Sequence, residues 1–162
     1  MPLVPDSTYS ANGLLFKEYL LTKHNPNKIS MPTYALPSIP DGVTIHNTDD
    51  ITVANNTTPA EQYTRATVNG NIKDVRVHFY VDESCDWHNL PFSLSGWHAA
   101  DGNGGGNRRT ISIEIIGKSA KAEANGAKLA AWLLNKYNLN IDHLFTHTYW
   151  LNKRDGKVGT ID

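Results

Sequence analysis

Two histidines, His46 and His147, and one glutamate, Glu114, are the residues whose types and placement can do chemistry together. Val43, Thr44 and Ile45 read as a short buried strand ending at His46, and Leu144 to His147 reads as another short strand ending in a histidine. Imidazoles at the ends of separate strands are what a metal centre at one edge of a sheet requires. A catalytic zinc typically takes three protein ligands and keeps a fourth position for water, whose pKa it lowers to about 7. Glu114 sits between Ile113 and Ile115, where a carboxylate is costly to bury unless it is paired or used. Beside an activated water it would be a general base, taking a proton and later handing it to a leaving amine. Lys153 could polarise a carbonyl oxygen and stabilise a negative tetrahedral intermediate. Plainer explanations stand beside these. Histidines are more often structural or surface residues, Glu114 could sit in a buried ion pair with Arg76 or Arg109, and Lys153 could be a surface lysine.

Other features point less sharply. The run Gly102 to Asn107 looks like a phosphate cradle, but it lacks the Gly-Lys-Ser/Thr ending and the next residues read as a strand, so it is better read as a mobile loop walling a groove. Trp87, Trp97 and Trp150 could stack on sugar faces or fill the core, with Trp97, beside the glycines, the best placed as an exposed platform. Cys85 is the only cysteine, which excludes an internal disulfide framework and a multi-cysteine zinc site, and it reads as structural.

The elements that must position these residues follow from pattern. Leu14 to Leu21 reads as a helical patch, followed by a stretch with Pro26, Pro32, Pro37 and Pro40, and residues 1–40 together read as an arm over the domain. Thr58, Pro59 and Glu61 mark a helix start, a hydroxyl cap with proline at the first helical position, and the helix runs to about Thr67. Val75 to Val81 alternates, with Arg76, His78 and Tyr80 on the polar face, and Thr110 to Ile116 repeats the design with Ser112, Glu114 and Ile116 opposite Ile111, Ile113 and Ile115. Asn47 to Asp50 reads as a polar turn. Ser119 caps a helix to about Tyr137 whose stripe of Ala127, Ala130, Ala131, Leu134 and Tyr137 covers a sheet. The expected fold is α/β: one domain over residues 1–162, a mixed central β-sheet with helices on its faces. Fifteen Lys and Arg against sixteen Asp and Glu leave a net charge of -1, which gives no electrostatic case for nucleic acid or an anionic membrane as partner. No signal peptide and no run of 18 apolar residues is present, and a monomer is expected.

The combination resembles the zinc N-acetylmuramoyl-L-alanine amidases found in bacteriophage endolysins, related in fold to T7 lysozyme and the animal peptidoglycan recognition proteins. The matching segments are VTIHNTDD around His46, VRVHFYVD around His78, WHAADGNGGGN from Trp97, RTISIEIIG around Glu114, NGAKLAAWLLNKY, and THTYW around His147, six in family order over residues 43–150. The resemblance implies a peptidoglycan substrate cut between N-acetylmuramic acid and L-alanine, Zn2+ as cofactor, His46 and His147 as ligands, and Glu114 as the catalytic carboxylate. Some members use a tyrosine before the histidine of the second strand; Val77 stands there, so Glu114 must serve. His78, Trp97, His98 and Asn107 fall near the family's groove and are expected to contact substrate or support the ligands.

The family's third ligand is a cysteine or aspartate some eight to ten residues past the second histidine, with a lysine before it and proline after. Lys153 and Asp155 fall near that place, so the resemblance allows Asp155 as ligand and Lys153 as oxyanion helper, although no proline follows Asp155. In related endolysins an insertion carries the lysine-cysteine-proline segment further on, so the other expectation is a truncated catalytic domain whose third ligand lies beyond Asp162. A separate wall-anchoring module is common in such endolysins and none is found here. The expected setting is a phage enzyme of a Gram-positive host, such as a clostridial one, made in the host cytoplasm and acting on the wall after release. A non-catalytic domain that grips muramyl peptide in the same groove is the rival reading.

Overall fold

The computed structural model describes residues 1–26, 34–54 and 56–157. Its first feature corrects the N-terminal expectation. Asn12 and Gly13 both take left-handed backbone, with φ of 51° and 72°, and close a tight hairpin between β1 (Ser7–Ala11) and β2 (Leu14–Glu18). Asn-Gly between two extended runs is a strong hairpin signal, and it overrides the weak helical spacing of Leu14 to Leu21. Only Leu21–His24, α1, is helical there. The arm is therefore not draped over the domain. It adds two strands to the sheet through parallel pairing of β2 with β5 (Asp86–His88).

The sheet has seven strands in the order β1-β2-β5-β4-β6-β3-β7, with β4 at Phe79–Val81, β6 at Thr110–Ile116, β3 at Gly42–Thr48 and β7 at Leu144–Thr146. From β4 through β6 and β3 to the edge strand β7 the pairing is parallel, while β1/β2 and β4/β5 are antiparallel. The mixed sheet expected from the alternation of strands and helices is present. The strand expected over Val75 to Val81 is shortened because His78 takes over the pairing. Its backbone N–H donates to Ser112 Oγ, and its Nδ1 accepts the Ser112 N–H at 3.1 Å.

Strand alternation gives the sheet two faces. Val43, Ile111, Ile113, Ile115, Phe79, Val81 and Phe16 form a core with α4 (Ala120–Lys136), which Ser119 caps by accepting the Ala122 N–H. The buried stripe of α4 is Ala122, Gly126, Leu129, Ala130, Leu133 and Leu134, turned from the expected one so that the leucines face the core and Ala127 and Ala131 face solvent. Gly126 sits against Ile115, where a Cβ would fall 2.3 Å from Ile115 Cδ1, so a larger residue would push the helix off the sheet. On the other face Ala60, Val77, Tyr80, Cys85, Trp87 and Ile116 pack beneath α2 (Pro59–Asn69), which starts at its Thr58 cap with proline at the helix start, as its sequence indicates. Among the described residues no helix is long and apolar enough to cross a membrane.

Candidate active site

The pairing of β3 with β6 places His46 directly across from Glu114, on the sheet face opposite the α4 core. His46 lies two residues inside β3 and not at its end. Its neighbours Ile45 and Asn47 point the other way, so its placement is fixed by the ladder on both sides. Glu114 Oε1 accepts a 2.6 Å hydrogen bond from Thr48 Oγ1, the residue two beyond His46 on the same face. Of the two arginines that could have paired with Glu114, Arg109 is committed to Asp41, and the charge acting on Arg76 is that of Asp74. Burial raises the Glu114 pKa, while the Thr48 hydroxyl works against that rise.

His147 reaches the same place from a different element. Thr146 ends β7 and caps α5 (His147–Arg154) by accepting the Tyr149 N–H, so His147 begins a helix and does not end a strand. The His46 and His147 rings meet at 4.8 Å between centroids. What holds α5 there is Trp150, one helical turn on. Its Nε1 donates at 2.8 Å to Thr44 Oγ1, Thr44 is bonded to Thr110 Oγ1, and Thr110 donates to the Gly106 carbonyl. Gly106 is glycine because Trp150 lies on it: a Cβ would fall 2.5 Å from Ala99 Cβ and 2.7 Å from Trp150 Cγ.

A third histidine completes the cluster. His98 Nδ1 lies 2.9 Å from His46 Nε2. The three rings, Glu114, Thr48, Val75 and Thr148 line a cleft of about 560 Å³. Burial lowers the His46 pKa to about 4, helped by the neighbouring His147, and holds His98 well below the ordinary histidine range. His147 is lowered too, by burial and then by Arg154. Neutral imidazoles at neutral pH are the form that binds a metal.

The remaining expected residues lie elsewhere. His78 is fully buried between Ser112 and the Leu94 carbonyl, which accepts from its Nε2 at 2.8 Å, so it braces the frame and offers nothing to a substrate. Asn107 is also buried: its Oδ1 accepts the N–H groups of His98 and Ala99, and its Nδ2 donates to Gly102 O. The glycine run is accordingly no loose wall. Asp101 accepts the Gly106 and Asn107 N–H groups, and the run leads into α3 (Gly105–Arg109), a short helix the sequence reading did not expect. Trp97 is half-buried, its backbone bridged to Arg76, and it does not line the cleft. Trp87 and Trp150 are core residues, and burial pushes the Cys85 thiol up to about 12, which makes it inert. Lys153 projects over the Trp150 and Tyr149 rings. Asp155 follows α5 and pairs with Arg154. Neither lines the cleft.

Residues 36–158 match the N-acetylmuramoyl-L-alanine amidase family. The chain belongs to that family. It is 35% identical over 126 residues to the N-acetylmuramoyl-L-alanine amidase XlyA of Bacillus subtilis (strain 168), a match covering 75% of this chain and 40% of XlyA. It is 34% identical over 127 residues to CwlH of the same organism, covering 75% of this chain and 48% of that amidase. The chain thus spans less than half the length of these curated relatives. The solved catalytic domain of XlyA superposes with a TM-score of 0.70 at 28% identity, covering 89% of this chain and 99% of that one. For the family's metal, the donor set fits at two positions. His46 and His147 are neutral and adjacent, and His147 Nε2 is buried without a hydrogen-bond partner, a nitrogen that a cation would satisfy. Among the described residues no group of three His, Cys, Asp or Glu side chains is arranged to hold a metal.

Proposed function

We propose that this chain hydrolyses peptidoglycan at the amide between the lactyl group of N-acetylmuramic acid and the first L-alanine of the stem peptide, as the catalytic domain of a phage endolysin acting on the cell wall. The observation that supports this most is the convergence of His46, His147 and Glu114 from three separate elements in one cleft of an amidase-family chain. His46 and His147 would hold zinc. When bound, the ion would polarise the scissile carbonyl and make a water more acidic. Glu114 would take a proton from the attacking water and return it to the alanine nitrogen as the C–N bond breaks, leaving a carboxylic acid and a free amine. Burial suits Glu114 to both roles, because a raised pKa makes the proton easier to accept and hold. Thr48, donating to Oε1, fixes the orientation of the carboxylate.

The rival, a domain that binds muramyl peptide without cutting it, draws support from the two-histidine donor set among the described residues. Purified cell walls incubated with the protein decide between them. Amidase action predicts new amino groups with no new reducing sugar ends, lost on adding a chelator and regained with zinc. Retained wall binding with no amino groups released, and much less than one zinc per chain, would favour the binding domain.

A further inference from the structure

The hydroxyl that anchors Trp150 belongs to the strand that carries His46. Thr44 lies two residues before His46 on the same face of β3, about 7 Å along the strand. Trp150 lies three residues after His147, about 4.5 Å along the axis of α5. The Thr44–Trp150 bond therefore ties the two histidine-bearing elements together close to both imidazoles.

This bond is one link of a chain whose direction is fixed. An indole N–H can only donate, so Thr44 Oγ1 accepts it at 2.8 Å. Thr110 Oγ1 gives its single proton to the Gly106 carbonyl at 2.7 Å, so in the 2.8 Å contact between the two hydroxyls Thr44 donates and Thr110 accepts. Each hydroxyl thus gives one hydrogen bond and takes one, in a line from α5 through β3 and β6 to α3. Thr44, Thr110 and Trp150 are all buried, so a break leaves polar groups that water does not reach. The indole is also held from behind. Cβ atoms at Gly105 and Gly106 would come within 3.2 Å and 2.7 Å of its ring, which leaves it little room to slide.

We propose that Thr44 is a positioning residue for the pair of imidazoles. By accepting the Trp150 N–H, its hydroxyl sets where α5 sits on the sheet, and with it the distance from His147 to His46, 4.8 Å between ring centroids. Thr44 does not line the cleft and acts only through Trp150. Two donors already standing at a fixed separation bind a cation with little reorganisation, so loosening the tie weakens the metal. That consequence rests on the zinc reading above; the ring separation does not.

Thr44→Val keeps the side-chain shape and removes the hydroxyl. Crystals of the metal-free variant should show α5 displaced and the His46–His147 separation changed by about 0.5 Å or more. In a chelator competition zinc should bind at least about 10-fold more weakly than to the wild type. Thr44→Ser restores the hydroxyl and should recover both. Trp150→Phe removes the same bond from the other side and should reproduce the loss, so it decides the matter should Thr44→Val not fold. Ile113→Ala on the opposite face should unfold more easily yet keep the wild-type separation and zinc affinity. A folded Thr44→Val or Trp150→Phe protein with both quantities unchanged would overturn the proposal, as would a loss that Thr44→Ser leaves in place or that Ile113→Ala shares. Should the wild type bind no zinc at all, the zinc reading fails, and the ring separations in the metal-free crystals still decide the role of Thr44.

Discussion

The two faces of the central sheet are built from the same strands and have opposite tasks. Under α4, β3 and β6 present Val43, Ile111, Ile113 and Ile115, all buried in one apolar cluster. One residue along in each strand, the other face presents Thr44, His46, Thr48, Ser112 and Glu114, each with a polar partner in a ring contact or hydrogen bond. A period of two lets a polar side chain on one face be flanked by apolar anchors on the other. Ile113 and Ile115 fix the backbone of Glu114, and Ile45 fixes that of His46. The apolar face also has its exception. Asp86 and His88 of β5 lie on it, and neither carboxylate oxygen of Asp86 nor either ring nitrogen of His88 has a hydrogen-bond partner. His88 Nδ1 does have Glu18 Oε2 3.6 Å away, whereas burial makes a charged Asp86 costly.

Breaking the reactive face should have the largest effect. Glu114→Gln is expected to lower amide cleavage by about 10²–10⁴-fold, with zinc content and melting temperature near those of the wild type; full activity would remove Glu114 from the chemistry. Next comes the neighbouring anchor. Ile113→Ala should cost about 2–5 kcal/mol in denaturant unfolding, while the protein still folded at low temperature keeps its cleavage. Equal loss of activity and stability in both variants would show that the two faces are not separable.

Acid should act on the histidines of both faces. The pKa values of His46 and His88 are lowered by burial to about 4, and that of His78 to about 3, all below the unfolded value near 6.5. Between those values the unfolded chain binds more protons, so stability present above pH 6.5 is lost as pH falls toward 4. Thermal melts across that range should show a steep decline, and a flat profile would contradict the buried neutral rings. Asp86 has the opposite sign. Burial raises its pKa to about 8, so the folded form holds a proton that the unfolded chain releases near 4, and its contribution to stability falls as pH rises from about 4 to about 8. Asp86→Asn should raise the melting temperature at pH 8 and have little effect at pH 4. The smallest effect is expected at Trp150→Phe, which removes one hydrogen bond to Thr44 and should cost about 1 kcal/mol.

The reactive face was legible because its signal is local. Alternation in TISIEII assigns Glu114 to the face opposite three isoleucines, and the ladder with β3 then needs one register to bring His46 beside it. The α2 and α4 starts were legible from Thr58 and Ser119 for the same reason. What escaped depended on distant partners. β5 has three residues, and its strand character comes from β2 and β4 on either side. His147 looks like a strand end because the Thr146 cap that turns the chain into α5 is an ordinary threonine in sequence. The His46–His98 contact joins residues 52 apart, and no spacing rule announces it. The Asn12-Gly13 turn is a local signal too, and it outweighs the helical spacing of Leu14 to Leu21.

The proposed hydrolysis depends on one cation seated between His46 and His147. Anomalous diffraction at the zinc edge from crystals grown with zinc tests this directly. It should show one strong peak within coordination distance of both imidazoles, in the cleft that Glu114 lines. A structure with both rings ordered and zinc located elsewhere, or absent, would contradict the proposed hydrolysis.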